Sequence, residues 1–230
     1  RLPEGQKVYF CIDAMDQLFR DEHVGKLDFF AKGKKAQVIA SCTDEFVLPM
    51  ESVVRRVVTA IPALSKEDAK TVAEGILASY SRNAYVAIEE EILKKKSVGN
   101  PLYISLLIQR LNMMDTEELR KAMNEEEIVA LGTGIIREMP ENTEDAIVSV
   151  IRDGIDKISE EREVLFEILQ YLAVSRNGLR MSDLQGVYAM QGKTLPTLDF
   201  ALLMKYLDSF FYVHEDDRID FTHKVIRQGL

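Results

Sequence analysis

Lys7-Val8-Tyr9-Phe10-Cys11-Ile12 is a short run of β-branched and aromatic residues without clean alternation, closed by Asp13. Such a run suits a strand buried on both faces of a parallel sheet. Ala36-Gln37-Val38-Ile39-Ala40-Ser41 reads as a second strand, and Val53 to Ile61, carrying Arg55 and Arg56, as a weaker third. Between the first two, Leu18, Phe19, Leu27, Phe29 and Phe30 are spaced loosely like a short crossover helix. Parallel strands need a connection of that length.

From Pro62 onward the pattern turns helical. Ser65-Lys66-Glu67-Asp68 places an acid three positions after a capping residue, close to a capping box, and Val72, Ile76 and Leu77 follow at helical spacing. Ala84 to Lys96 predicts another helix, ended by Ser97-Val98-Gly99, with Lys94-Lys95-Lys96 as a solvated basic end suited to the negative helix terminus. Asn100-Pro101 opens a third, because proline suits the first turn. Its residues Leu102, Ile104, Leu106, Leu107, Ile108 and Leu111 are apolar on most sides, so it is expected to be central. Asp115-Thr116-Glu117-Glu118 begins a more polar fourth.

Glycine, proline and asparagine cluster from Gly132-Thr133-Gly134 to Pro140-Glu141-Asn142, which predicts a boundary. Beyond it the spacing predicts helices at Thr143–Ile158, Ser159–Val174, Met181–Met190 and Pro196–Phe211, with a turn at Ser175-Arg176-Asn177-Gly178. Tyr212-Val213-His214, Glu215-Asp216-Asp217 and Arg218-Ile219-Asp220-Phe221 read as a hairpin with a polar turn. Helices followed by a two-stranded wing give the order of a winged helix.

The 230 residues are 47% hydrophobic and 29% charged, an ordinary globular composition. No apolar run approaches the roughly 18 to 20 residues of a membrane span, and the polar start is unlike a signal peptide. Two cysteines make no disulfide framework; Cys11 and Cys42 are expected to be buried thiols on neighbouring strands, in a reducing, cytoplasmic setting. The net charge of −9 disfavours nucleic acid. Residues 141–230 carry 10 Lys and Arg against 16 Asp and Glu, a net of −6. Pro196–Phe211, in the recognition position, offers only Lys205 against Asp199 and Asp208. Its apolar face, Leu198, Leu202, Leu203, Tyr206, Leu207 and Phe210, is read as core.

The sharpest chemical feature is Asp13 at the end of a strand, where α/β folds bind ligands. It is either a metal-binding carboxylate of the Walker B kind or the cap of the following turn. Asp16 could orient an attacking water or a second-shell water of the ion. No G-x-x-x-x-G-K-[ST] phosphate loop occurs in the chain. Gly192-Lys193-Thr194 has Val187 where the first glycine belongs and follows a helix, so it reads as a loop. His23 and His214 are expected at the surface, and Met113, Met114, Met181, Met190 and Met204 as core or interface filler.

Asp13-Ala14-Met15-Asp16-Gln17-Leu18 resembles the Walker B segment of STAND NTPases, the NACHT, nephrocystin and telomerase-associated protein type. Val38 to Thr43 is similar to their sensor strand, Ala63-Leu64-Ser65 to the entry of their helical lid, and Gly99-Asn100-Pro101-Leu102-Tyr103 to their G-x-P motif. Ser175-Arg176-Asn177-Gly178-Leu179 with Asp183-Leu184, and Phe221-Thr222-His223, are similar to their winged helix. The resemblance implies an α/β fragment, the last strands of a P-loop NTPase core (1–61), then a helical lid (62–140) and a winged-helix domain (141–230), mostly α overall. It implies Asp13 as the Mg2+ ligand and Asp16 as the second acid. Ser41, Thr43, Asn100, Pro101 and His223 would be nucleotide-binding residues, Pro101 beside the adenine and His223 reporting on the diphosphate. Ala14 stands where many hydrolytic motifs carry glutamate, Gln17 replaces a frequent acid, and the sensor strand lacks an arginine. The implied function is an ATP/ADP-controlled conformational switch or assembly scaffold working through protein partners or self-association, with slow ATP hydrolysis at most. For this chain alone neither bound nucleotide nor hydrolysis is expected. The alternative is a nucleotide-free structural interaction module.

Overall fold

The structure, a computed structural model, describes residues 6–15, 36–43, 59–80, 85–114, 119, 122, 124–158 and 162–230. The chain divides into two compact units, Arg1–Pro62 and Ala63–Leu230. It is mostly helical: 64% of the described residues are in helix, and small parallel and antiparallel sheets complete it. Among the described residues no helix is long and apolar enough to cross a membrane.

In the first unit β1 (Val8–Ile12) and β2 (Ala36–Ala40) pair in parallel, Val8 opposite Ala36 and Ile12 opposite Ala40. The parallel pairing agrees with the pattern; the expected double-sided burial does not. Tyr9, Phe10 and Ile39 are about half exposed, Cys11 is exposed and Cys42 half-buried. Among the described residues no third strand extends this sheet. The crossover helix and most of the third strand, with His23, lie outside the described residues. Residues 59–61 are exposed and irregular.

The second unit begins with α1 (Lys66–Ser79), where Ser65 is the N-cap the sequence announces, without the return bond to the Ser65 backbone N–H that would complete a capping box. The Asp68 N–H donates to Ser65 Oγ at 3.1 Å, while the Ser65 hydroxyl donates to the Asp68 carboxylate at 2.6 Å. The next helix, α2 (Val86–Lys94), stops two residues short of the expected end. Lys95 turns to extended backbone, and a 3-10 turn at Lys96–Gly99 leads into α3 (Pro101–Asn112). As expected α3 is central, with Ile104, Leu106, Leu107, Ile108 and Leu111 buried against α1, α4 (Glu125–Glu138) and α5 (Thr143–Ile158).

Pro140-Glu141-Asn142 falls in the expected break between α4 and α5, whereas Gly132-Thr133-Gly134 lies inside α4. That helix is capped by Asn124, whose side chain accepts from the Glu127 N–H, and three glutamates fill its first turn. Gly132 is there for space: a Cβ would come within 2.5 Å of Ile88 on α2. The Thr133 hydroxyl is satisfied by donating back to the Val129 carbonyl. The polar helix expected from Asp115 to Glu118 falls outside the described residues.

α5 has the predicted bounds, and α6 (Arg162–Val174) follows, residues 159–161 lying outside the described ones. α7 (Met181–Met190) also has the predicted bounds. Gly192 and Lys193 close it, their N–H groups bonded to the Ala189 and Tyr188 carbonyls, so this stretch is a helix-ending turn with those two donors already used. α8 (Thr197–Tyr206) is shorter than predicted, ending in a 3-10 turn at Asp208–Phe210. Leu203, Leu207 and Phe210 are core, but Leu198 and Leu202 are exposed, because only one side of α8 meets the unit. Met113 is core; Met190 is exposed at the end of α7.

The hairpin forms from β4 (Phe211–Val213) and β5 (Arg218–Phe221), joined by a turn in which Asp217 has φ of 64°. A third strand, β3 (Leu179–Arg180), pairs antiparallel on the far side of β5, so the sheet has three strands, not two. Last comes α9 (Lys224–Gly229), packed on α5 and α6.

Candidate functional site

The ends of β1 and β2 are knitted together. The Ser41 N–H donates to the Ile12 carbonyl at 3.0 Å, and the Met15 N–H to the Ser41 carbonyl at 2.9 Å. The Ser41 hydroxyl donates to Asp13 Oδ1 in a short bond, and the Ala14 N–H reaches both Asp13 Oδ1 and Ser41 Oγ at 2.9 and 2.8 Å. Two residues singled out from sequence, 28 positions apart, are therefore in direct contact. Ala14 sits at φ 51°, a left-handed conformation that costs an alanine about 1 kcal/mol. Asp13, Ser41 and Thr43 are exposed at this strand end. Asp16 lies outside the described residues.

One carboxylate beside a hydroxyl suits Mg2+, which takes one or two protein oxygens and leaves the rest to phosphate and water. Asp13 and Ser41 fit such an ion. Among the described residues no group of three or more ligating side chains exists that would hold a metal by itself.

Asn100 and Pro101 are engaged in building the fold. Asn100 Oδ1 accepts the Leu102 N–H at 2.9 Å as the cap of α3, with Pro101 in its first turn, and Asn100 Nδ2 donates to Thr143 Oγ1 at 3.3 Å. The preceding Gly99 faces the unit's first residues: its carbonyl accepts the Leu64 N–H, and a Cβ would meet Ala63 at 2.9 Å.

The neighbouring basic run holds a feature the sequence reading missed. Lys95 is not a solvated helix end: it is only 7% exposed. Its ammonium donates to the Arg137 and Met139 carbonyls at 3.0 and 2.7 Å and to Glu141 Oε1 at 3.3 Å. It thus caps the carboxyl end of α4, where peptide carbonyls lack helical partners and a cation is favoured. The Lys96 N–H donates to Glu141 Oε2, the Ser97 hydroxyl to the Glu141 carbonyl, and the buried Tyr103 hydroxyl to the Pro140 carbonyl. Burial first, then the nearby Glu141 charge, pushes Tyr103 up to about 12, so at neutral pH it remains a donor. The junction of α4 and α5 is therefore pinned along Lys95–Tyr103.

The Lys96 N–H, aided by Lys95, holds the Glu141 carboxyl below its ordinary value of 4.5. A folded pKa below the unfolded one gives stability that is present above the unfolded value and lost as pH falls through the folded value. Melting temperatures measured across acid pH are expected to show Glu141→Gln below the parent at neutral pH and converging with it at the acid end. Parallel curves would remove Glu141 from the acid response.

His223 is exposed and is the residue before the first turn of α9, a helix of six residues, and its side chain makes no capping bond. Among the described residues no hydrogen bond joins it to Asn100 or Pro101. His214 is half-buried instead of lying at the surface: its ring meets Tyr212, and Nε2, shielded from solvent, stands 3.8 Å from Asp220 Oδ2. Asp220 in turn pairs with Arg227, whose guanidinium also reaches the Leu172, Ala173 and Ser175 carbonyls at the end of α6. No family model, curated protein or solved structure matches the chain.

Proposed function

We propose that the chain is the C-terminal part of a STAND-type nucleotide-binding module, an ATP/ADP-controlled conformational switch or assembly scaffold acting through protein contacts. The observation that carries this reading is Asp13 held by Ser41 at the C-terminal ends of two parallel strands. Open α/β sheets bind their ligands at that edge. The α1–α4 segment supports a helical lid, and α5–α9 with a sheet ordered β3-β5-β4 support a winged helix. On this reading Asp13 and Ser41 orient a Mg2+ ion, while the metal supplies charge neutralisation beside phosphate. The sequence contributes no phosphate loop, so no hydrolytic step is assigned to these residues.

The test is calorimetric titration of the full-length protein with Mg-ADP. Asp13→Asn is expected to weaken binding about tenfold or more; equal affinity in parent and variant would sink the metal role. The isolated 230 residues are expected to show neither ATP turnover nor a salt-sensitive shift of duplex DNA.

A nucleotide-free scaffold is the second reading, favoured by a specific observation. Asn100 and Pro101 are spent on capping α3 and tying it to α5, roles that need no ligand. Absence of ADP from the purified full-length protein, with no binding on addition, would select it.

A further inference from the structure

Asn177-Gly178, in the turn between α6 and β3, is the one place in the chain where glycine follows asparagine. Asn83, Asn100, Asn112, Asn124 and Asn142 precede alanine, proline, methionine, glutamate and threonine. Asparagine before glycine is the pairing in which the next peptide nitrogen most readily attacks the side-chain amide, because glycine has no side chain to block the approach. The nitrogen and the amide carbon belong to one short stretch of chain, so no other element is needed to bring them together. A folded protein ordinarily prevents the attack with a helix or strand ladder that holds the nitrogen, or with bonds that hold the amide.

Neither restraint is found here. Asn177 is exposed and lies in neither helix nor strand. Among the described residues its side-chain amide and the Gly178 N–H have no hydrogen-bond partner. The other described asparagines are held. Asn100, Asn124 and Asn142 each accept an N–H two or three residues on, and Asn112 is within α3. At Asn177 it is the main-chain carbonyl that is engaged: Arg218 Nη1 donates to it at 3.1 Å, with Arg218 Nε fixed by Asp216 at 2.7 Å. A guanidinium on that carbonyl draws charge from the adjoining nitrogen and stabilises the anion it must become to attack.

We propose that Asn177 is a self-modifying site that converts to isoaspartate. Gly178 N bonds to Asn177 Cγ and gives up its proton, the side-chain NH2 takes up a proton and leaves as ammonia, and a five-membered cyclic imide results. Water then adds at the main-chain carbonyl that Arg218 polarises. The bond from that carbon to Gly178 N breaks, the hydroxyl staying on carbon and the proton going to nitrogen. Water enters, ammonia leaves, and no oxidant or further reactant is needed. The chain now runs through Cγ, one carbon longer, and carries a new carboxylate beside Arg218. The extra carbon falls just before Leu179, whose register with Ile219 joins β3 to β5, at a glycine already close against the Ile219 carbonyl. β3 is only two residues long, so a shift there unpairs it. Conversion thus loosens the third strand of the sheet as the protein ages.

The test is to age the whole chain at mildly alkaline pH and body temperature in heavy-oxygen water, which marks each conversion as it happens, and to map it by mass spectrometry. Asn177 is expected to take up the label before any other asparagine, mostly as isoaspartate, which isoaspartyl methyltransferase detects. Arg218→Gln is expected to slow the uptake severalfold and raise the share of ordinary aspartate. Aged parent is expected to melt about 2 °C or more below fresh protein. Asn177→Gln, whose larger ring closes slowly, is expected to take up no label at that position and to keep its melting temperature. An Asn177 that stays unlabelled in the folded chain and labels once urea unfolds it would overturn the proposal. So would an equal or faster rate in Arg218→Gln, or a converted chain that melts like the fresh one.

Discussion

Lys95→Met is expected to lower stability by about 3 kcal/mol, equivalent to roughly 6 to 12 °C in melting temperature for a chain of this size. The methionine keeps the apolar stem and removes the ammonium, leaving the Arg137 and Met139 carbonyls and one Glu141 oxygen without their donor. Burial makes the loss large, since water cannot enter to replace a group that is 7% exposed. The flanking lysines provide the control. Lys94 is exposed and, among the described residues, pairs only with Glu91 on its own helix, and Lys96 contributes through its backbone N–H. Methionine at either position is expected to change stability by less than about 0.5 kcal/mol. Three equal losses in thermal or urea unfolding would show that charge density, and not the cap on α4, governs this region.

Gly178→Ala is expected to cost about 3 kcal/mol. Gly178 sits at φ +76°, and an added Cβ would run into the Ile219 carbonyl, a backbone atom of the neighbouring strand that cannot swing aside. That strand pairs Ile219 with Leu179, so relief of the clash means separating β3 from β5. Gly192 isolates the two contributions. Its φ of +70° is nearly the same, yet nothing lies within 4 Å of its Cβ position. Gly192→Ala is therefore expected to cost only the conformational part, about 1 kcal/mol. Equal melting temperatures for the two variants would refute the steric account.

Local signals were legible where one residue type has one structural use. Ser65 with Asp68, Asn100 with Pro101, and the Gly178 turn each appear where the sequence puts them, and α5 and α7 have the bounds that periodicity assigns. What failed was decided by residues far away. Gly132 and Gly134 look like chain breakers, but Gly132 serves close approach to Ile88, more than 40 positions earlier. Lys95 looks like one of three solvated lysines until α4 brings its carbonyls within reach. The exposure of Tyr9, Phe10 and Ile39 is not legible because an apolar run reports what a strand suits, not what covers it. At the candidate site, Asp13 and Ser41 were both named from sequence, but their direct bond depends on the β1–β2 register.

Arg227 closes the carboxyl end of α6 from a position 52 residues beyond Ser175. During synthesis, α6 emerges from the ribosome long before its cap exists, and at about 5 to 20 residues per second the wait lasts seconds. Through that interval the last carbonyls of α6 must be served by water, and Asp220 lacks its guanidinium partner. The order of synthesis thus sets a late checkpoint: this half of the second unit completes its polar contacts only when its final helix arrives, and a ribosome stalled before residue 227 displays an α6 whose end is still open.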